Sequence, residues 1–152
     1  MRGSDQRRQA QALVRLREVR MQSTAAALAE ARAATAAAER ERAEADAAAD
    51  TADAGMKEAH ADLATDPAEA ERLLALVDRS HFRRSVARSA LNDAREAERL
   101  CGEAEGERRK AMILARARHD RLAEHAGQAV RRWERRLEER TALDNLEARR
   151  RS

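Results

Sequence analysis

Four histidines, His60, His81, His119 and His125, and a single cysteine, Cys101, are the side chains best suited to metal binding or nucleophilic chemistry in this chain. Two histidines one helical turn apart put both imidazoles on one face, where they can share a zinc ion. No two of these four stand in that relation, and solvated histidines are the expectation. One cysteine allows neither an internal disulfide nor a cysteine-built zinc cage. No residue near Cys101 resembles an activating base, so it reads as a small packing residue. The many Asp and Glu residues have Arg three or four positions away, the spacing of helix-surface ion pairs. A glycine-rich phosphate loop is absent from the sequence. The chain is therefore expected to be no enzyme and to carry no cofactor and no metal.

The elements that hold these residues are helices. Of 152 residues, 39% are charged and 1% aromatic, with five Gly and one Pro. Ala, Glu, Arg and Leu dominate, a composition typical of long helices and coiled coils. Most of the apolar fraction is alanine, whose methyl group buries little area, so a thick globular core is ruled out. Spaced β-branched and aromatic runs, which strands require, are missing. The fold class predicted is all-α: a long two-helix antiparallel coiled-coil hairpin spanning 1–152 as a single domain.

Thr65-Asp66-Pro67 marks the fold-back. The residue before a proline avoids helix, whereas proline suits a first helical turn. Asp66 is placed to cap the second helix, and Glu69 adds favourable charge to its first turn. The helices are predicted over about 4–64 and 67–149, with the turn near 65–67. Every seventh residue from Val14 reads Val14, Met21, Leu28, Thr35, Arg42, Ala49, Met56 and Leu63. The companion positions read Arg17, Thr24, Ala31, Ala38, Ala45, Ala52 and Ala59. Together they form a heptad seam with alanine on one side. The second helix carries Leu73, Val77, Ala87, Leu91, Ala94, Cys101, Met112, Ala115, Leu122, Ala126, Ala129 and Trp133 in one phase. Arg84, Glu98, Glu105 and Arg108 interrupt it.

The first helix has about 60 residues, roughly 90 Å of length, and the second about 80. The last 20 or so residues of the second, with Trp133, Leu137, Leu143 and Leu146, are expected to outrun the partner. Leu13, Leu16 and Val19 lie at the same end, and Leu16 and Val19 point away from the seam. Exposed apolar clusters on a polar chain suggest a docking surface. The alternative is that these residues pack on one another at the mouth of the hairpin.

Both termini are basic and the stretch from Glu39 to Glu71 is acidic, around a net charge of +3. The runs "VRRWERRLEERT" and "EARRRS" have enough arginine to contact nucleic acid. Their interleaved glutamates favour a solvated mixed-charge face, so no nucleic-acid partner is expected. No apolar run approaches the ~18 residues of a membrane span, and the N-terminus has no h-region. The expectation is a cytoplasmic protein without membrane insertion.

With "LVRLREVR" near its start, an Ala-rich first helix, a short turn before mid-chain and a longer Arg/Glu-rich second helix, the chain resembles the FliJ/YscO family. The "RLREVR" stretch is closer to the YscO branch. These are stalk proteins of flagellar and type III secretion export machines, and the resemblance covers nearly the whole chain. It implies a non-enzymatic central stalk, monomeric and peripherally associated with the inner-membrane export apparatus. The implied partners are a hexameric secretion ATPase, an export gate protein and secretion chaperones. The resemblance assigns ATPase binding to the terminal end, with Leu13, Leu16, Val19, Arg131, Arg132, Trp133 and Leu137. Gate or chaperone binding falls to the apolar set beside the turn: Met56, Leu63, Leu73, Leu76 and Phe82. Two other classes stay open: a generic coiled-coil scaffold or peripheral stalk, and a basic nucleic-acid-binding coiled coil.

Overall fold

A computed structural model describes residues 2–65 and 67–151. Asp66, the expected cap, lies outside the described residues. Helix α1 runs from Arg2–Thr65, a single 3₁₀ turn covers Pro67–Glu69, and helix α2 runs from Ala70–Arg151. Among the described residues there is no strand. The chain is all-α, with two long helices packed on each other as a hairpin.

Proline has no N–H to donate and a fixed φ, so it opens the 3₁₀ turn at no hydrogen-bond cost. Glu69 pairs with Arg72 at 2.8 Å across one turn. With Glu71 it puts negative charge at the start of α2, where the helix dipole favours it.

Contacts cluster in two compact units. One joins Met1–Leu28 to Arg108–Ser152, and the other is Ala29–Glu107.

In the unit 29–107 the core is a single line of small and aliphatic side chains. Ala38, Ala49, Leu73, Val77 and Leu91 are buried there, and Leu28 is buried in the other unit. All eight residues of the Val14 series and all seven of its companion series are buried or half-buried. The seam read from the sequence is thus the packed face of α1. Alanine at successive companion positions lets the backbones approach closely while removing little apolar area from water. Thr35 stays in the seam because its hydroxyl donates to the Ala31 carbonyl at 3.1 Å.

Three of the four residues that interrupt the α2 stripe have partners across the seam. Glu98 accepts from Arg42 Nε at 2.9 Å. Arg84 Nε meets Asp53 Oδ1 at 2.5 Å, and Arg88 takes the other carboxylate oxygen at 2.8 Å. Arg95 lies 3.4 Å from Asp46, and Arg32 lies 3.7 Å from Glu105. Each step forward along α1 is met by a step back along α2, so the pairing is antiparallel and in one register. Arg108 is exposed.

Candidate docking face

The unit made of 1–28 and 108–152 holds 20 Lys and Arg against 9 Asp and Glu, a net charge of +11. The unit 29–107 holds 11 against 19, a net charge of −8. Each unit therefore attracts partners of opposite sign.

Within the basic unit, Leu13, Leu16 and Val19 are about half exposed or more, as is Leu137. Leu13, Arg17, Arg20 and Thr24 follow an i, i+4, i+7, i+11 spacing and form one stripe down α1. Leu16 borders that stripe, one turn before Arg20. Val19 sits roughly 120° around the helix from Leu13, at 3.6 residues per turn. The three apolar residues therefore do not make one patch.

Arg17, Arg20 and Thr24 face Ala111, Leu114 and Arg118 of α2 across a shallow groove. Leu114 is exposed, as is its neighbour Ile113. Among the described residues no carboxylate reaches Arg17, Arg20 or Arg118 to form an ion pair. A second groove on the other side of α1 runs past Gln11, Val14 and Arg15 to Gly127 and Val130.

Trp133 is not part of an unpartnered overhang. It is half-buried, and the Arg7 guanidinium lies over its ring, 4.9 Å from the centroid. That contact carries α1 pairing one turn or more beyond the expected end, because the register brings residue 7 level with 133. The exposed stretch of α2 begins after it, at residues 134–150. Arg131 and Arg132 are both exposed but turn back on their own helix. The Arg131 guanidinium stands 3.8 Å from where a Cβ on Gly127 would lie, and Arg132 Nε donates to the Gln128 carbonyl at 3.3 Å.

In the acidic unit the five residues read as a gate or chaperone set divide. Leu73 is buried at 6% exposure and is core, not surface. Met56 is half-buried in the seam, where Arg84 Nη1 approaches its Sδ at 3.5 Å. Leu63 is also half-buried. Leu76 and Phe82 are exposed, Phe82 to 70%, beside Leu74 and Val86. Phe82 and Val86 share a face one turn apart.

Arg88 and then Arg84, hydrogen-bonded to Asp53, hold its carboxyl below the usual aspartate range. Arg99 grips Glu96 through two nitrogens, at 2.9 and 2.6 Å, and also contacts Glu103. This lowers the Glu96 carboxyl and raises the Arg99 guanidinium. His119 Nδ1 lies 3.1 Å from Asp120 Oδ1, while His60, His81 and His125 are exposed. Among the described residues no three His, Cys, Asp or Glu side chains are grouped to hold a metal. Cys101 is a half-buried free thiol. No helix among the described residues is long and apolar enough to cross a membrane.

The sequence reading missed Arg17, Arg20 and Arg118. Their signal was the continuation of the Leu13 stripe into arginines where a seam-flanking position more often carries a paired charge. No family model matches the chain, and neither a curated protein nor a solved structure matches it.

Proposed function

We propose that this chain is a non-enzymatic stalk of a type III export apparatus, docking on an oligomeric secretion ATPase through the unit 1–28 with 108–152. It acts as a monomer at the cytoplasmic side of the inner membrane, and ATP chemistry belongs to the partner. Export gate or chaperone contacts fall to Leu76 and Phe82 of the other unit. The observation that carries the reading is a unit of net charge +11 that leaves Leu13, Leu16 and Leu137 exposed, with Arg17 and Arg20 near the first two and without a carboxylate partner among the described residues. Arginine with exposed aliphatic anchors is the composition of a protein-docking surface. The resemblance to the FliJ/YscO family supplies the kind of partner.

The net charge also favours a second reading, binding to a polyanion such as nucleic acid. A scaffold that dimerises along its exposed faces is the third.

The test is ATP hydrolysis by the cognate ATPase, titrated with wild type and with the Leu13→Ala, Leu16→Ala, Leu137→Ala variant at matched helicity. Stimulation is expected to fall about ten-fold or more, the scale of losing two or three interface anchors. A variant that stimulates as well as wild type refutes the docking assignment. A duplex oligonucleotide that binds more tightly than the ATPase at physiological salt selects the second reading.

A further inference from the structure

We infer that the groove between Arg17, Arg20 and Arg118 receives an acidic amphipathic helix of a partner protein. The inference rests on the reading of this unit as a docking end, and it adds the chemistry of what docks.

Three arginines from two helices line one groove, and none has a carboxylate partner among the described residues. In the other unit Arg42, Arg84, Arg88 and Arg95 are each paired with a carboxylate. Unpaired arginines held in a net field of +11 draw an anionic partner and set its orientation. The groove floor is not polar. Ala111, Leu114 and Ala115 line it, and on α1 the exposed Leu13 and Leu16 stand one helical turn before Arg17 and Arg20. A partner that satisfies only the arginines leaves these leucines in water. One that covers both must place carboxylates beside large apolar side chains on one face, as an acidic amphipathic helix does.

A polyanion such as nucleic acid satisfies the charge without covering the leucines. A second copy of this chain offers alanine beside the carboxylates of its exposed 41–48 stretch and one leucine on the short Glu71–Leu74–Asp78 stripe, a weaker match than a helix with a full leucine face. Glu41, Ala43, Glu44, Ala47 and Ala48 are all exposed in the first of these. Methyl groups bury little area against leucine.

The test uses the full chain and a fluorescein-labelled stapled helix with leucines at i, i+3 and i+7 and glutamates flanking them. A control peptide has the same residues permuted around the helix. Anisotropy is expected to show binding of the amphipathic peptide at least about ten-fold tighter than of the control, since only one presents both chemistries together. The variant Arg17→Glu, Arg20→Glu, Arg118→Glu is expected to lose about ten-fold or more. The variant Arg135→Glu, Arg136→Glu, Arg140→Glu, with the same charge change outside the groove, is expected to lose about two-fold or less through long-range screening alone. Leu16→Ala with Leu114→Ala, at unchanged helicity, is expected to weaken binding about five-fold.

Equal losses from the two arginine variants, or equal binding of the two peptides, overturn the inference. So does salt-sensitive self-association of the chain that the groove variant abolishes and the control does not. If the groove variant loses the peptide yet still stimulates the ATPase, the groove stands and the ATPase reading falls. If no peptide binds while Leu13, Leu16 and Leu137 still control stimulation, the groove assignment falls alone.

Discussion

Arg42 and Glu98 occupy seam positions that a coiled coil usually fills with leucine, and they meet each other at 2.9 Å. Their side chains are 36% and 30% exposed, so water reaches both. Two unit charges at this distance attract by about 1.4 kcal/mol at the dielectric constant of water and about 5.7 kcal/mol at an effective value of 20. Partial exposure and the ordering of two long side chains take back most of the larger figure. The net coupling expected is about 1 kcal/mol, the upper end for exposed pairs. The perturbation is a double-mutant cycle: Arg42→Ala, Glu98→Ala and both together. Each single change is expected to cost about 1–2 kcal/mol, because it leaves one charge half-buried and unpaired. The double change should cost less than their sum by about 1 kcal/mol. Urea unfolding followed by far-ultraviolet circular dichroism measures all three, at low salt and at about 1 M, where screening shortens to about 3 Å and the coupling should shrink. Additivity within about 0.3 kcal/mol at low salt refutes the claim that this pair holds the helices together. A further arm replaces both residues with leucine. The expected result is a more stable helix pair, by about 1 kcal/mol or more.

The remaining predictions concern backbone, pH and the acidic unit's surface. Gly102→Ala and Gly106→Ala should each raise stability by about 0.5–1 kcal/mol, since a Cβ at either site meets nothing within 4 Å and both sit mid-helix; an unchanged urea midpoint counts against it. Asp53 has a lowered carboxyl in the folded chain, so its contribution is complete above the ordinary aspartate value of 3.8 and is lost as pH falls through the lower folded value. The stability difference between wild type and Asp53→Asn should be flat at neutral pH and shrink on acidification, and a difference that grows there contradicts the Arg84–Asp53–Arg88 assignment. Leu73→Ala should cost about 2–3 kcal/mol, the low end for core truncation, as water can enter a two-helix seam. Leu76→Ala should cost little, so any loss of gate or chaperone binding in that variant is a surface effect.

The seam of α1 was legible because periodicity is a property of one helix. Val14 through Leu63 repeat every seventh residue, and burial follows them position by position. The lone proline similarly marked the fold-back. Complementarity between helices is not visible in either helix alone. Arg84, Glu98 and Glu105 therefore looked like defects in the α2 stripe, although their partners Asp53, Arg42 and Arg32 were all present in α1. Trp133 was misplaced for a related reason. Helix lengths fix how much of α2 lacks a partner only once the register is known, and the Arg7 contact extends the paired region. The basic groove was passed over because arginines on a helix surface resemble any solvated face until a second helix brings a third one beside them.

The exposed end of α2 has a consequence on the timescale of amide exchange. Residues 134–150 are all exposed, so opening their backbone breaks mainly local helix. A segment of this size is near the length at which an isolated helix is only marginally stable in water. Thr141 weakens it further, its hydroxyl engaging the Leu137 and Glu138 carbonyls of its own turn at 3.1 and 2.9 Å. Its amides should trade protons for deuterons by local fraying. Those near Leu28 and Leu91 must wait for the two helices to part. One continuous helix thus carries two exchange regimes, and the boundary between them falls just after Trp133, where the Arg7 guanidinium closes over the indole.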